Sequence, residues 1–235
     1  MISFDPLQIK PENHTKYPRW KYVAPLPSAQ LMGSIGAPDI ENFLIVGEAW
    51  AQVISKFLTL GDTVFDIGCG CGRTARFLIY FPIEYIGFDI FQPSIQWCIE
   101  SLTPLSNNRF QFYHFNGISE HYNPQGTINP MEYRFPSDDG YINMAIGASI
   151  FTHLTEPNAI HYLEEEETNR VLKGGGKALF SIHTHPADGK LISGKEDRID
   201  IDPKYFLTMT QKAGLRLKEE IGDLCGQETF LFEKF

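Results

Sequence analysis

The run Val64-Phe65-Asp66-Ile67-Gly68-Cys69-Gly70-Cys71-Gly72-Arg73 constrains this chain more than any other part of it. An apolar string ends in an acid and gives way to glycine at every second position. Glycine has no Cβ and tolerates positive φ, so three of them let the chain turn sharply and leave bare backbone for a ligand. Beyond Arg73, residues Ala75, Leu78 and Ile79 fall on one helical face. The glycines therefore join a strand to a helix.

Two ligand classes use a strand, a glycine turn and a helix. Nicotinamide and flavin proteins want G-x-G-x-x-G, with a pyrophosphate on the helix N-terminus. Here the third glycine comes one residue early, at Gly72, and Arg73 takes the dinucleotide position. Asp66, at the strand end before the first glycine, is a second departure. A carboxylate there suits a ligand that carries positive charge and no phosphate.

The pattern resembles the first motif of class I S-adenosylmethionine-dependent methyltransferases, D/E-x-G-x-G-x-G. A second strand, Tyr85 to Ile90, ends in Asp89, at the spacing of a carboxylate that binds ribose hydroxyls. Tyr141 to Leu154 is similar to the family's fourth strand and its loop, and Val171 to Ile182 to the fifth with its glycine lead-in. The segments lie in family order from about Val64 to Ile182, with weaker similarity to the C-terminus. The resemblance implies a Rossmann-like α/β fold: a doubly wound, seven-stranded, mostly parallel sheet with an antiparallel last strand and helices on both faces.

Composition is in keeping with one enzyme domain. A chain of 235 residues, 43% hydrophobic, can bury one large core. Its 20 basic against 29 acidic residues give a net charge of -9, which disfavours a nucleic-acid substrate. No apolar stretch approaches the ~20 residues of a membrane helix, and the start Met1 to Pro6 lacks a basic region followed by an apolar one. A cytoplasmic location is the expectation. Cys69, Cys71, Cys98 and Cys225 do not form paired zinc spacing, so no metal is expected and reduced thiols are the simpler reading.

Along the chain, residues 1–38 are rich in proline and aromatics without periodicity and read as an arm or lid; 39–235 read as a single domain. Asp39 can cap a helix with Phe43, Val46, Trp50, Val53, Ile54 and Phe57 at helical spacing. Pro93 starts another, with Ile95, Cys98, Ile99 and Leu102 on one side, and Phe110, Phe112 and His114 suggest a third strand. Ile118 to Asp139 is long for a connection and reads as a functional loop. A helix is expected from Pro157 to Leu172, its run Glu164 to Glu167 forming a solvated face. Asp202-Pro203 opens a short helix that Gly214 ends, and β-like runs follow at Leu215 to Ile221 and Glu228 to Lys234.

In this fold class ligands sit beyond the carboxyl ends of the parallel strands. The resemblance implies S-adenosylmethionine as cofactor, held by Asp66, Gly68, Cys69, Gly70, Gly72 and Arg73 in the turn and by Asp89 and Ile90 after the second strand. Asn116 with Gly117, and Ala148 with Ser149, complete the set. Asn116 stands where the family often has an aspartate accepting from the adenine amino group, and Asn143 where it often has another. A small-molecule methyl acceptor is implied, at oxygen first and nitrogen next, by direct displacement. An alcohol or phenol needs a general base. His153 is the first candidate, its alternative being a packing or capping histidine, and His183 and His185 come after it. Tyr17, Trp20, Tyr22, Leu31, Met32 and Phe151 can cover or line the acceptor pocket, or merely pack the arm. Glu48 can face an acceptor or solvent. The rivals are a nicotinamide oxidoreductase and a non-catalytic domain that binds S-adenosylmethionine or a partner.

Overall fold

The apolar string before the glycine turn is the centre of the sheet. In the computed structural model, which describes residues 24–163 and 167–235, β1 (Thr63–Ile67) is buried along its whole length. It pairs in parallel with β2 (Glu84–Asp89) on one side and β4 (Ile142–Gly147) on the other. A strand enclosed on both faces reads as a continuous apolar run, which is what Val64 to Ile67 shows around its single acid.

The sheet has seven strands in the order β3-β2-β1-β4-β5-β9-β8, with β3 at Phe110–His114, β5 at Leu172–Ile182, β8 at Leu215–Asp223 and β9 at Glu228–Lys234. The last strand, β9, runs antiparallel between β5 and β8, as expected. Strand order reverses between β1 and β4, and the crevice above that point is where a doubly wound sheet takes a ligand.

Alternation along β1 sends Val64 into one core and Phe65 and Ile67 into the other. The first core is covered by α2 (Ile40–Ser55), α3 (Ala75–Leu78) and α4 (Gln92–Ser101). The second is covered by α5 (Glu156–Leu163), α6 (Thr168–Val171) and α7 (Pro203–Lys212). A short helix, α1 (Ala29–Ser34), precedes them. Asp39 caps α2 by accepting the Asn42 N–H at 2.8 Å, and Asp202 caps α7 by accepting that of Tyr205 at 2.9 Å. Gly214 follows α7 with φ +79°, a conformation that suits glycine.

Three expectations are corrected. The helix expected from Pro157 to Leu172 is two: the chain departs from helical geometry at Glu167, and β5 has begun by Leu172. Glu167 is not on a solvated face. It is 2% exposed and accepts the Phe135 N–H, with Arg170 3.5 Å away, while Glu164 to Glu166 lie outside the described residues. On α4, Ile99 is 41% exposed although Ile95, Cys98 and Leu102 are buried.

One element has no counterpart in the sequence reading. After β5 the chain forms a two-stranded ribbon, β6 (Ile192–Lys195) with β7 (Arg198–Ile201), turning at Glu196-Asp197. Its Ile192, Ile199 and Ile201 pack on the second core, and its turn reaches the crevice. No described helix is long and apolar enough to cross a membrane.

Candidate active site

Gly68, Gly70 and Gly72 all have positive φ, at +74°, +53° and +70°. The N–H groups of Gly68 and Cys69 donate to the Phe88 carbonyl at 2.9 and 3.0 Å, which folds the turn back over the end of β2. A Cβ on Gly68 would stand 2.8 Å from Ile150 Cδ1, and one on Gly70 2.6 Å from Ile35 Cγ2. Real Cβ atoms do not come so close, so backbone approach and conformation both demand glycine. Gly72 answers to a different neighbour: its Cβ would stand 3.1 Å from Cys98 Sγ, against α4, and Gly72 is not on the cavity wall.

The turn encloses a cavity of about 510 Å³, within the range of small-molecule and cofactor sites. Asp66, Gly68, Cys69, Gly70 and Arg73 form one wall; Asp89 and Ile90 form another, and Ala148, Ser149 and His153 a third. Three strand ends thus bring together His153 and most of the residues singled out from sequence for the cofactor.

Asp66 is 2% exposed. Its Oδ2 accepts the Tyr85 hydroxyl, and its Oδ1 has no hydrogen-bond partner among the described residues. Burial pushes its carboxyl up to about 7; Tyr85 pulls it down, Asp89 pushes it up and Arg73 pulls it down. Ser94, at the start of α4 and also a lining residue, has a second buried polar atom, Oγ, without a partner among the described residues. Such atoms are rare in native proteins because each carries a desolvation penalty, and these two point to a polar ligand. Asp89 differs: Oδ2 accepts the Gly70 N–H and Oδ1 the Phe91 N–H, both at 2.8 Å. It ties the glycine turn to the end of β2. Among the described residues Arg73 is the only lysine or arginine on the wall, which also carries Asp66, Asp89, Glu196 and Asp197.

Cys69, Cys71 and Cys98 are free and buried, with their thiols pushed up by burial. They fill tight space around the turn as protonated groups.

His153 stands at the far side of the crevice, after β4. Its Nδ1 is 2.8 Å from the Glu196 carbonyl, which can only accept, so Nδ1 carries the proton and Nε2 keeps its lone pair. Burial holds His153 below the ordinary histidine range. The Tyr122 hydroxyl lies 3.3 Å from Nδ1 and 3.2 Å from Nε2. A hydroxyl on the Nε2 lone-pair axis would stand much farther from Nδ1, so this one lies over the ring and leaves that axis open.

Glu196 braces this region twice. Its carbonyl fixes His153, and its carboxylate accepts the Ser119 hydroxyl at 2.6 Å and the His121 N–H at 3.2 Å. The ribbon turn is thereby tied to the long loop after β3, whose Ile118, Ser119, His121, Tyr122 and Pro130 line the cavity. Ser149, with φ +65°, is held by Gln227: Gln227 Nε2 donates to Ser149 Oγ at 2.8 Å, and Gln227 Oε1 accepts from Ser181 at 2.6 Å. The sequence reading did not single out Glu196, Tyr122, Ser94 or Gln227 for the site. The signal for the first was the pair Glu196-Asp197 between the alternating isoleucines of β6 and β7; the others carry no local motif.

Other candidates lie off the cavity. Asn116 Oδ1 accepts from Asn123 Nδ2 at 3.1 Å and its Nδ2 donates to Thr127 at 3.0 Å, so its amide holds the loop, and neither it nor Gly117 is on the wall. Asn143 accepts the Thr63 N–H at 2.9 Å at the opposite end of the strands. Phe151 is wholly buried, its ring 4.9 Å from that of Phe180 and 5.2 Å from that of Phe206, and Met32 is also a core residue. His183 sits on the ribbon side, its carbonyl accepting the Ile201 N–H at 2.7 Å, and His185 contacts Thr184 at 3.0 Å. Neither histidine lines the cavity. Glu48 is 5% exposed on α2, faces the protein rather than solvent, and is not on the wall. Tyr17, Trp20 and Tyr22 lie outside the described residues.

No family model matches the chain. Solved structures do. A TehB-like SAM-dependent methyltransferase from Corynebacterium glutamicum aligns with a TM-score of 0.57 at 18% identity, over 96% of this chain and 98% of that one. The 1,6-didemethyltoxoflavin-N1-methyltransferase of Burkholderia thailandensis, with bound 1,6-didemethyltoxoflavin and S-adenosylhomocysteine, aligns with a TM-score of 0.62 at 14% identity, over 96% and 91%. A geranyl diphosphate C-methyltransferase from Streptomyces coelicolor A3(2), in complex with Mg2+, geranyl diphosphate and S-adenosyl-L-homocysteine, aligns with a TM-score of 0.58 at 13% identity, over 90% and 87%. The chain therefore has the Rossmann-like fold that these class I methyltransferases share.

Proposed function

We propose that this protein is an S-adenosylmethionine-dependent methyltransferase acting on a small molecule. The observation that carries the reading is Asp66, whose buried Oδ1 has no partner among the described residues, lining one cavity with Gly68, Gly70 and Asp89. The donor set fits the cofactor's chemistry. Asp66 would receive the ammonium, Arg73 the carboxylate, and Asp89 the ribose hydroxyls with lone pairs its two backbone bonds leave free. Ile90 offers apolar surface to the adenine. Gly68, Cys69 and Gly70 would surround the methionine portion, with Ala148 and Ser149 opposite. When bound, the cofactor supplies a methyl group on a positively charged sulfur.

The protein's own part is to position an acceptor, exclude water and manage one proton. Ile35, Val46 and Trp50 give the cavity apolar wall, and Gly33 to Gly36 bring the end of α1 to it. This supports reading the described part of the segment before residue 39 as an arm or lid beside a single domain at 39–235; residues 1–23 lie outside the described residues. His153 Nε2 is suited to take a proton from an oxygen acceptor, because its Nδ1–H is already committed to Glu196. An acceptor oxygen is favoured on that ground, and an amine is the alternative. The similar structures do not decide this, since one is named for methylation at nitrogen and another at carbon. Buried free thiols support a cytoplasmic location.

Calorimetric titration with S-adenosylmethionine, S-adenosylhomocysteine and NADH tests the cofactor. Binding of the first two and not the third is expected; NADH binding alone would replace this reading with that of an oxidoreductase. Incubation with methyl-labelled cofactor and small-molecule extracts then finds the acceptor. A protein that binds the cofactor and methylates nothing would be a binding domain.

A further inference from the structure

Asp66 is placed to do more than attract charge. One of its oxygens is occupied by the Tyr85 hydroxyl, the other is buried with no partner among the described residues, and the residue belongs to the cavity lining. The titratable groups around it are Tyr85 and Asp89 from β2, Cys69 from the glycine turn, Arg73 from the start of α3 and Cys98 from α4. On the β4 side its register partner is the apolar Ile146. The phenol and both thiols are pushed well up by burial and bring no charge at neutral pH. Asp89 opposes ionisation of Asp66, and among the described residues Arg73 is the only nearby cation that favours it. An ammonium brought to Oδ1 would supply the missing counter-ion.

We infer that Asp66 stands protonated in a large part of the ligand-free protein and releases that proton to solvent when the α-ammonium of the cofactor arrives. The ammonium keeps its own protons and no covalent bond changes. This deepens the cofactor reading and rests on it. Burial holds the free carboxyl near 7, so binding should be linked to pH in the window below the ligand ammonium's own titration. Ligands that lack the amino group gain nothing from Asp66, which makes it a specificity residue for the amino-acid end.

The test is titration calorimetry of the full chain with S-adenosylhomocysteine and with 5′-methylthioadenosine, in buffers of different ionisation heat. With S-adenosylhomocysteine, release of about 0.9 proton per site is expected at pH 6 and about 0.5 at pH 7, with affinity rising about fivefold between them. With 5′-methylthioadenosine, no release and no pH trend are expected. Asp66→Asn should bind S-adenosylhomocysteine without releasing a proton. Tyr85→Phe, which removes the donor to Oδ2, should move the release to higher pH. S-adenosylhomocysteine binding with no buffer-dependent heat at pH 6, or equal release in Asp66→Asn, overturns the inference and leaves the cofactor reading standing. Failure of both S-adenosyl ligands to bind at any pH overturns the cofactor reading itself.

Discussion

Asp89→Asn separates what this carboxylate does for the fold from what it does for a ligand. Its two oxygens accept the Gly70 and Phe91 N–H groups, each at 2.8 Å. An asparagine keeps one oxygen, so in either amide orientation its NH2 meets a backbone N–H. A hydrogen bond to a charged group contributes about 1.5–3 kcal/mol, and a buried donor left unmatched costs about 1–3 kcal/mol. A loss of about 2–4 kcal/mol in unfolding free energy follows. At about 2–4 °C per kcal/mol for a domain of this size, Tm should fall by about 5–15 °C in scanning calorimetry. The ligand loses a charged acceptor for its ribose hydroxyls, so S-adenosylhomocysteine affinity, titrated well below the melt, should drop by about 10- to 150-fold. Both losses are required. A variant that melts within 2 °C of the native protein, or one that binds within threefold, by the calorimetric resolution these ~1 kcal/mol effects allow, would refute the double role.

Phe151→Ala should remove about 3–5 kcal/mol of stability, because the ring is wholly buried against Phe180 and Phe206. Urea unfolding measures it, and S-adenosylhomocysteine affinity should hold, since Phe151 does not line the cavity. His153→Gln should cut turnover on an oxygen acceptor by about 10²–10⁴-fold with cofactor affinity unchanged. If His153 is the base of the proposed reaction, the native protein's rate should rise with pH through a midpoint below the ordinary histidine value, because burial lowers His153 and a base works when neutral. Apo stability should run the other way. Asp66 binds its proton more tightly folded than unfolded, so its contribution is fullest below about pH 4 and lost as pH rises through about 7; denaturation across that range should show a decline that Asp66→Asn reduces.

The half of the site nearest the glycine turn was legible because its information is local. Asp66, the three glycines and Arg73 lie within eight successive residues, and glycine at every second position after a buried strand has few other uses. Asp89 followed from one strand and one helix further on. Fold class came the same way: β1, β2, β4 and β5 each announce themselves by an apolar run with β-branched or aromatic residues, and the caps Asp39 and Asp202 mark helix starts by chemistry confined to four residues. What failed was also physical. Glu167 reads as the end of a solvated acidic run, yet the Phe135 N–H and Arg170 draw it inward, and a partner 32 positions away leaves no trace in local periodicity.

The far half of the site is built almost wholly from such distant closures. Ser119 reaches Glu196 across 77 positions, His153 reaches the Glu196 carbonyl across 43, and Gln227 reaches Ser149 across 78. Each bond joins a loop to a hairpin tip, and each end alone is an ordinary surface residue. The ribbon β6–β7 is short and half polar, so nothing in it outweighs the reading of a loop until its turn is seen against His153. The same asymmetry bears on function. The wall at the glycine turn is a strand-turn-helix whose shape is set by strand pairing and glycine geometry. The wall at His153 is three loops held by side-chain bonds. On the proposed methyltransferase reading, a change of acceptor is expected to come from substitutions at Ser119, Tyr122, Glu196 and Gln227 and to leave Asp66 to Asp89 untouched.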